Sequence, residues 1–268
     1  MELALSDGGR LYYELHGDRG SWLVCLNGAM STTATWAPIC ALASRQHRVI
    51  LVDFRDQGQS SRLAPGYRAD RHCDDLVELF DTLGLDRVDL LGVSYGGHVA
   101  MTFARRFPRR LRRLVLASIT SRPTAHLREV GAEWEAIAAR RDADLLFETC
   151  NPQIYARSFL ERHGELLRDR QRSVRHLLDE AWFDAFIRLA ASAREFDHAE
   201  QIATIESPTL LVCGTEDTLT PPEQMFAMAE QIPNCTALAI PAGGHAVVIE
   251  QPRAMAAAVL GFLALDPA

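Results

Sequence analysis

Lysine is missing from this chain: all 28 basic residues are arginine. With alanine also abundant, the bias reads as the codon usage of a GC-rich genome rather than as carboxylate or phosphate recognition. Long apolar runs are missing too. No stretch approaches the ~20 residues that a membrane span needs. The amino terminus, MELALSDGGR, carries acids early and has no apolar core of signal-peptide length. The six cysteines are scattered, with no C-x-x-C pair. Cys25 and Cys213 fall inside strand-like runs, where a buried free thiol is expected. Together these features predict a reducing, cytoplasmic setting without disulfides or structural zinc. There is no H-E-x-x-H, no cluster of metal ligands and no glycine-rich phosphate loop, so neither a metal nor another cofactor is expected. An excess of positive charge is absent as well: the net charge is -7. That balance gives no reason to expect nucleic acid or an anionic membrane as partner.

What is present alternates. LYYELHG and SWLVCLNG read as a strand pair, and HRVILVDF as a buried strand. Residues 68–83 show helical spacing through Leu76, Val77, Leu79, Phe80 and Leu83, ending at Gly84. RVDLLGV is a strand, 95–107 a helix stopped by Pro108, and RLVLASI and TLLVCG further strands. A helix over 221–231, the strand TALAIP and a last helix from Ala246 onward complete the chain. Continuous apolar strands separated by helices predict an α/β fold with a mostly parallel sheet covered on both faces. Residues 122–203 break the alternation with helical patches and no convincing strand. The expected organisation is a core of residues 1–121 and 204–268, interrupted by a helical lid over 122–203. An insertion at the carboxyl end of a sheet lies over the crevice where ligands bind.

The chemistry begins at GVSYG, where Gly92, Ser94 and Gly96 form G-x-S-x-G between a strand and a helix. Such a turn strains the nucleophile and leaves no room for side chains two positions either side. Ser94 needs a base. Of nine histidines, His245 in PAGGHAVVIEQP directly follows the last strand and precedes the last helix. His98 lies one turn into the helix after Ser94 and reads as packed or solvent-facing. The base needs an orienting acid. GTED places Asp217 after the penultimate strand, with Glu216 as its solvated neighbour. The strand before it ends LASITSR and offers no acid. The stretch LVCLNGAMSTTATW closes the set. Its Asn27-Gly28 is followed by no second strand, so it is no hairpin. A tetrahedral intermediate needs two N–H donors, and Ala29 N–H and Tyr95 N–H are the predicted pair, with Gly28 turning the backbone and Asn27 bonding the loop onto itself. Met30 and Trp36 are expected to line the acyl pocket.

With GVSYGG, GTED and GGH in that order, the whole chain resembles the α/β-hydrolase superfamily with a lid. The resemblance implies an eight-stranded, mostly parallel sheet. The usual His-Gly of the oxyanion loop is replaced here by Asn27-Gly28. LNGAMSTTATW and VDFRDQGQS look more like the branch holding the 3-(3-hydroxyalkanoyloxy)alkanoate synthase of rhamnolipid biosynthesis. DFRDQGQS also resembles the DxRGxGxS element of many plain hydrolases. The expected activity is a serine hydrolase that cleaves an ester, thioester or lactone of a small-molecule acyl substrate. The alternatives are an acyltransferase that uses a hydroxyacyl group in place of water, and a non-catalytic binding protein of the same fold. Acyl chain length, carrier and oligomeric state stay open at this level.

Overall fold

The computed structural model describes residues 1–63 and 69–265. Its elements run β1 (Glu2–Ala4), β2 (Arg10–His16), β3 (Trp22–Leu26), α1 (Ala37–Ala43), β4 (Arg48–Asp53), α2 (Ala69–Thr82), β5 (Val88–Val93), α3 (Tyr95–Arg106) and β6 (Leu111–Ala117). Four helices follow: α4 (Ala125–Ala139), α5 (Ala143–Ile154), α6 (Arg157–Val174) and α7 (Glu180–Glu195). Then come β7 (Thr209–Gly214), α8 (Pro222–Ala229), β8 (Cys235–Ile240), α9 (Val247–Glu250) and α10 (Pro252–Ala264). No helix among the described residues is long and apolar enough to cross a membrane.

All eight strands share one sheet in the order β1-β2-β4-β3-β5-β6-β7-β8. The pairs β1·β2 and β2·β4 are antiparallel and the rest are parallel. Alternation along the strands sets the layers. Val24, Leu26, Ile50, Val52 and Leu90 face one core, together with Val99 and Phe103 of α3 and Met225 of α8. Leu23, Cys25, Val49, Leu51 and Leu91 face the other, together with Ile39 of α1 and Val259 of α10. Both cores are needed because parallel strands bury both faces.

Two sequence expectations change, and the start of a third lies outside the described residues. The two first long strands do not pair: β4 lies between β2 and β3, because β3 is parallel to both its neighbours while β2 joins the antiparallel end of the sheet, between β1 and β4. The last helix is two, broken at Gln251 (φ -129, ψ 52) ahead of Pro252, since the residue before proline is driven out of the helical region. The helix expected from Arg68 begins, as described, at Ala69; Arg68 lies outside the described residues.

Candidate active site

Ser94 sits in the turn from β5 to α3 with φ 52 and ψ -117, a left-handed conformation that a serine adopts only under constraint. The constraint is visible. A Cβ on Gly92 would come 2.4 Å from the Gly96 carbonyl, and one on Gly96 would come 2.2 Å from the Leu26 carbonyl. Ser94 N–H is tied to Ala117 O at 2.9 Å. The turn therefore holds Ser94 at the carboxyl edge of the sheet and at the amino end of α3.

Two other strand ends meet it there. His245 lies between β8 and α9, and its Nε2 is 2.9 Å from Ser94 Oγ. Asp217 follows β7, with its carboxylate oxygens 3.0 and 3.2 Å from His245 Nδ1. Backbone N–H groups of Leu219 and Thr220 donate to Asp217 at 3.0 and 2.9 Å, and the Thr220 hydroxyl donates at 2.7 Å. Burial alone would raise this carboxyl, but the charge and hydrogen bond of His245, with the Thr220 bonds, hold it below its ordinary value. Glu216, its neighbour, is exposed and faces Ser158. Ser94, His245 and Asp217 are thus brought together, and Glu216 is not.

The loop after β3 runs beside them. Gly28 comes within ordinary contact of Ser94, where an added Cβ would lie 3.8 Å from the Ser94 Cβ. It needs no left-handed backbone; in this loop Met30 takes that conformation, with φ 54. The expected glycine turn is therefore displaced by two residues. Ala29 is exposed at the site. The Tyr95 side chain is buried against Phe54 and His72, so what it offers beside Ser94 is its backbone N–H at the positive end of α3. Asn27 does more than bond its own loop. Its amide donates to Ser31 O at 3.3 Å and to Asp53 at 3.2 Å, and accepts the Trp36 indole N–H at 2.7 Å. With its amide turned so that the nitrogen faces the loop, the orientation that satisfies both its ends, Gln57 donates to Ser31 O at 2.8 Å and Gly28 O at 3.0 Å. The loop is thus fastened from below by Asn27 and from the side by the DFRDQGQS segment.

A cavity of about 360 Å³ opens over Ser94 and His245. Met30 lines it, and so does Trp36, which is only 1% exposed and props the loop through Asn27. Above them stand residues of the four inserted helices, among them Val130, Trp134, Leu146 and Phe186. Sequence reasoning missed Gln57, Thr220, His98 and Ser118. His98 is packed, as one of its two expected readings has it, with its ring against Phe196, and it is also part of the cavity wall. Its spacing of four from Ser94, one helical turn on the same face, was the available signal. No group of three or more His, Cys, Asp or Glu side chains among the described residues could hold a metal.

Comparison with known proteins bears on the fold and the family. A family model described as alpha/beta hydrolase fold matches residues 21–252. A protein of Caulobacter sp. (strain K31), named as a carbamate hydrolase, RutD, is 32% identical over 278 residues, covering 100% of both chains. The crystal structure of MGS-M2, an alpha/beta hydrolase enzyme from a Medee basin deep-sea metagenome library, matches with a TM-score of 0.95 and 29% identity, over 100% of this chain and 98% of that one. A thermophilic esterase from Thermogutta terrifontis matches with a TM-score of 0.85 and 27% identity, over 98% of this chain and 97% of that one.

Proposed function

We propose that this chain, which belongs to the α/β-hydrolase fold family and is a hydrolase, works through an acyl-serine intermediate on Ser94. The observation that carries this reading is the hydrogen-bond chain from Ser94 Oγ through His245 to Asp217, opening on the cavity. In the first half-reaction Ser94 Oγ attacks the substrate carbonyl carbon while His245 Nε2 takes its proton. Asp217 holds the imidazole with Nδ1–H toward itself and steadies the charged ring. The backbone N–H groups of Ala29 and Tyr95 receive the oxyanion. His245 then hands the proton to the leaving group. In the second half-reaction it activates water, which releases the acyl group as free acid.

The substrate class is a small-molecule ester, thioester or lactone. The similarity to the protein named as a carbamate hydrolase adds carbamates, whose carbonyl is open to the same attack. Met30 and the apolar side chains of α4–α7 support an acyl chain, and we read these helices as a lid over it. A covered site also favours acyl transfer when a second hydroxyacyl group replaces water. The test is intact-mass trapping across activated esters, hydroxyacyl thioesters and carbamates, with product analysis. The expected result is an acyl adduct that Ser94→Ala lacks, with free acid as the main product. A dimeric ester as the main product would replace hydrolysis with transfer, and turnover without any adduct would remove the acyl-serine step.

A further inference from the structure

Two buried polar side chains in the cavity wall have no use in the steps above. His98 lies on α3 four residues after Ser94, with its ring against Phe196 and stacked on His198 at 6.0 Å between centroids. Its Nδ1 is buried and meets no hydrogen-bond partner. Ser118 directly follows β6. In the sheet Ala117 stands opposite Val93, so Ser118 stands beside Ser94. Its side chain is fully buried and its Oγ meets no partner. Its φ is 51, and a left-handed serine is a strain that clusters at working sites. Both residues line the cavity together with Ser94 and His245.

Burial pushes the His98 imidazole well below its ordinary value, and His198 and His245 add to the effect. The ring is therefore neutral, with one N–H and one lone pair. A buried polar group without a partner costs free energy that an apolar residue in its place would not. Other polar side chains of the same wall are engaged. Asn151 and Gln171 hold each other, Arg194 holds Glu135, and Thr220 holds Asp217. His98 Nδ1 and Ser118 Oγ stand out among the described residues as buried polar atoms of this wall that meet no protein partner.

We infer that His98 and Ser118 form a polar subsite of the cavity that binds an oxygen substituent on the acyl chain of the substrate. This rests on the acyl-serine reading above and names its substrate class: acyl groups that carry an oxo, hydroxyl or carboxylate oxygen. The oxygen accepts from the His98 N–H or the Ser118 hydroxyl, and an apolar chain of equal shape leaves both groups unmatched.

The experiment compares methyl esters of equal shape by pH-stat: 4-methylpentanoate, 4-oxopentanoate and the succinate half-ester, with 3-oxo and 5-oxo analogues. At least one oxygenated ester is expected to exceed its apolar isostere about ten-fold in kcat/KM, the scale of one matched hydrogen bond. A leading succinate half-ester identifies an anionic oxygen, and a leading ketone a neutral one. His98→Leu and Ser118→Ala should shrink that ratio toward unity, with the loss falling on the oxygenated ester, while His98→Gln, which keeps an N–H, restores part of it. A wholly structural His98 would instead lower all esters together and lower the Tm. The inference is overturned if the apolar isostere leads at every position, or if the ratio survives in both variants. Binding of the same esters to Ser94→Ala, by calorimetry, needs no turnover. Selection of the oxygenated ester there, with no hydrolysis by the unaltered protein, would leave the subsite standing and remove the acyl-serine reading.

Discussion

The sheet and the four inserted helices are held by different means. β5 and β7 are buried along their whole length and feed two cores, one on each face. Ser94, Asp217 and His245 hang from strand ends there, and backbone bonds such as Ser94 N–H to Ala117 O and Glu216 N–H to Gly243 O fix the turns. The insertion has a separate small core of Ile137, Leu146, Phe183 and Phe186. Helix α6 buries only Gly164. Its outer surface carries exposed pairs such as Arg157–Glu161 and Arg172–Asp169, which contribute little. A few ties join it to the sheet. Arg188 of α7 makes two bonds of 2.8 Å to buried Asp56. Glu250 accepts from Ala156 N–H at 2.9 Å and Gly244 N–H at 3.1 Å, and Ala246 N–H donates to Ile154 O at 3.1 Å. The residues around Ser94 thus belong to the region with the denser packing, and the upper cavity wall to the region with the fewer anchors.

The comparison breaks most sharply at Ser94. Ser94→Ala should lower kcat by roughly 10⁶-fold with the Tm unchanged; near-native turnover of an activated ester would remove the site from the sheet edge. Asp217→Asn should cost about 10⁴-fold in kcat by holding the wrong tautomer. It also carries a pH signature. The Asp217 carboxyl is lowered in the fold, so its stabilisation is present above the unfolded value of about 4 and lost as pH falls through the lower folded value. The Tm gap between the native chain and Asp217→Asn should therefore close in acid, and a gap that widens there contradicts the assignment.

Cutting a tie tests the other region. Asp56→Asn should cost about 3 kcal/mol, the lower range for a broken buried pair, because Arg188 stays partly exposed. Proteolysis should then open α4–α7 first, and KM should rise more than kcat falls. Equal loosening of sheet and insertion would erase the distinction between the two regions. Lengthening an unsubstituted acyl chain should raise kcat/KM by up to about four-fold per CH₂ until the cavity fills, from about 0.8 kcal/mol each; a maximum at acetyl would contradict a covered apolar pocket. Smallest of all, Glu216→Gln should change kcat by less than about two-fold, as for an exposed charge. A larger loss than from Asp217→Asn would exchange the two acids.

Legibility followed locality. The strand over 209–214 and the elbow at Ser94 are readable because an apolar run and paired glycines act within a few residues. Asp217 and His245 are readable as the polar residues just past strand ends, and the helical stretch between β6 and β7 shows as a loss of alternation. The break at Pro252 was also available, since proline acts on its own neighbour, yet the apolar spacing on both sides masked it. Gly28 misled for the opposite reason: Asn-Gly is a turn signal, but the left-handed residue is Met30, because the loop is shaped by its anchors rather than by glycine.

The sequence by itself determined the alternating α/β architecture, the strained serine turn and the order of serine, acid and histidine. Each rests on periodicity or on sterics between near neighbours. Tertiary structure decided that β4 separates β2 from β3, that Asn27 grips both Trp36 and Asp53, and that Arg188 reaches Asp56 across 132 positions. It also decided that His98 and Ser118 enter the cavity wall without partners. Those outcomes depend on which surfaces meet once loops close and cores pack, and no short-range pattern encodes such meetings.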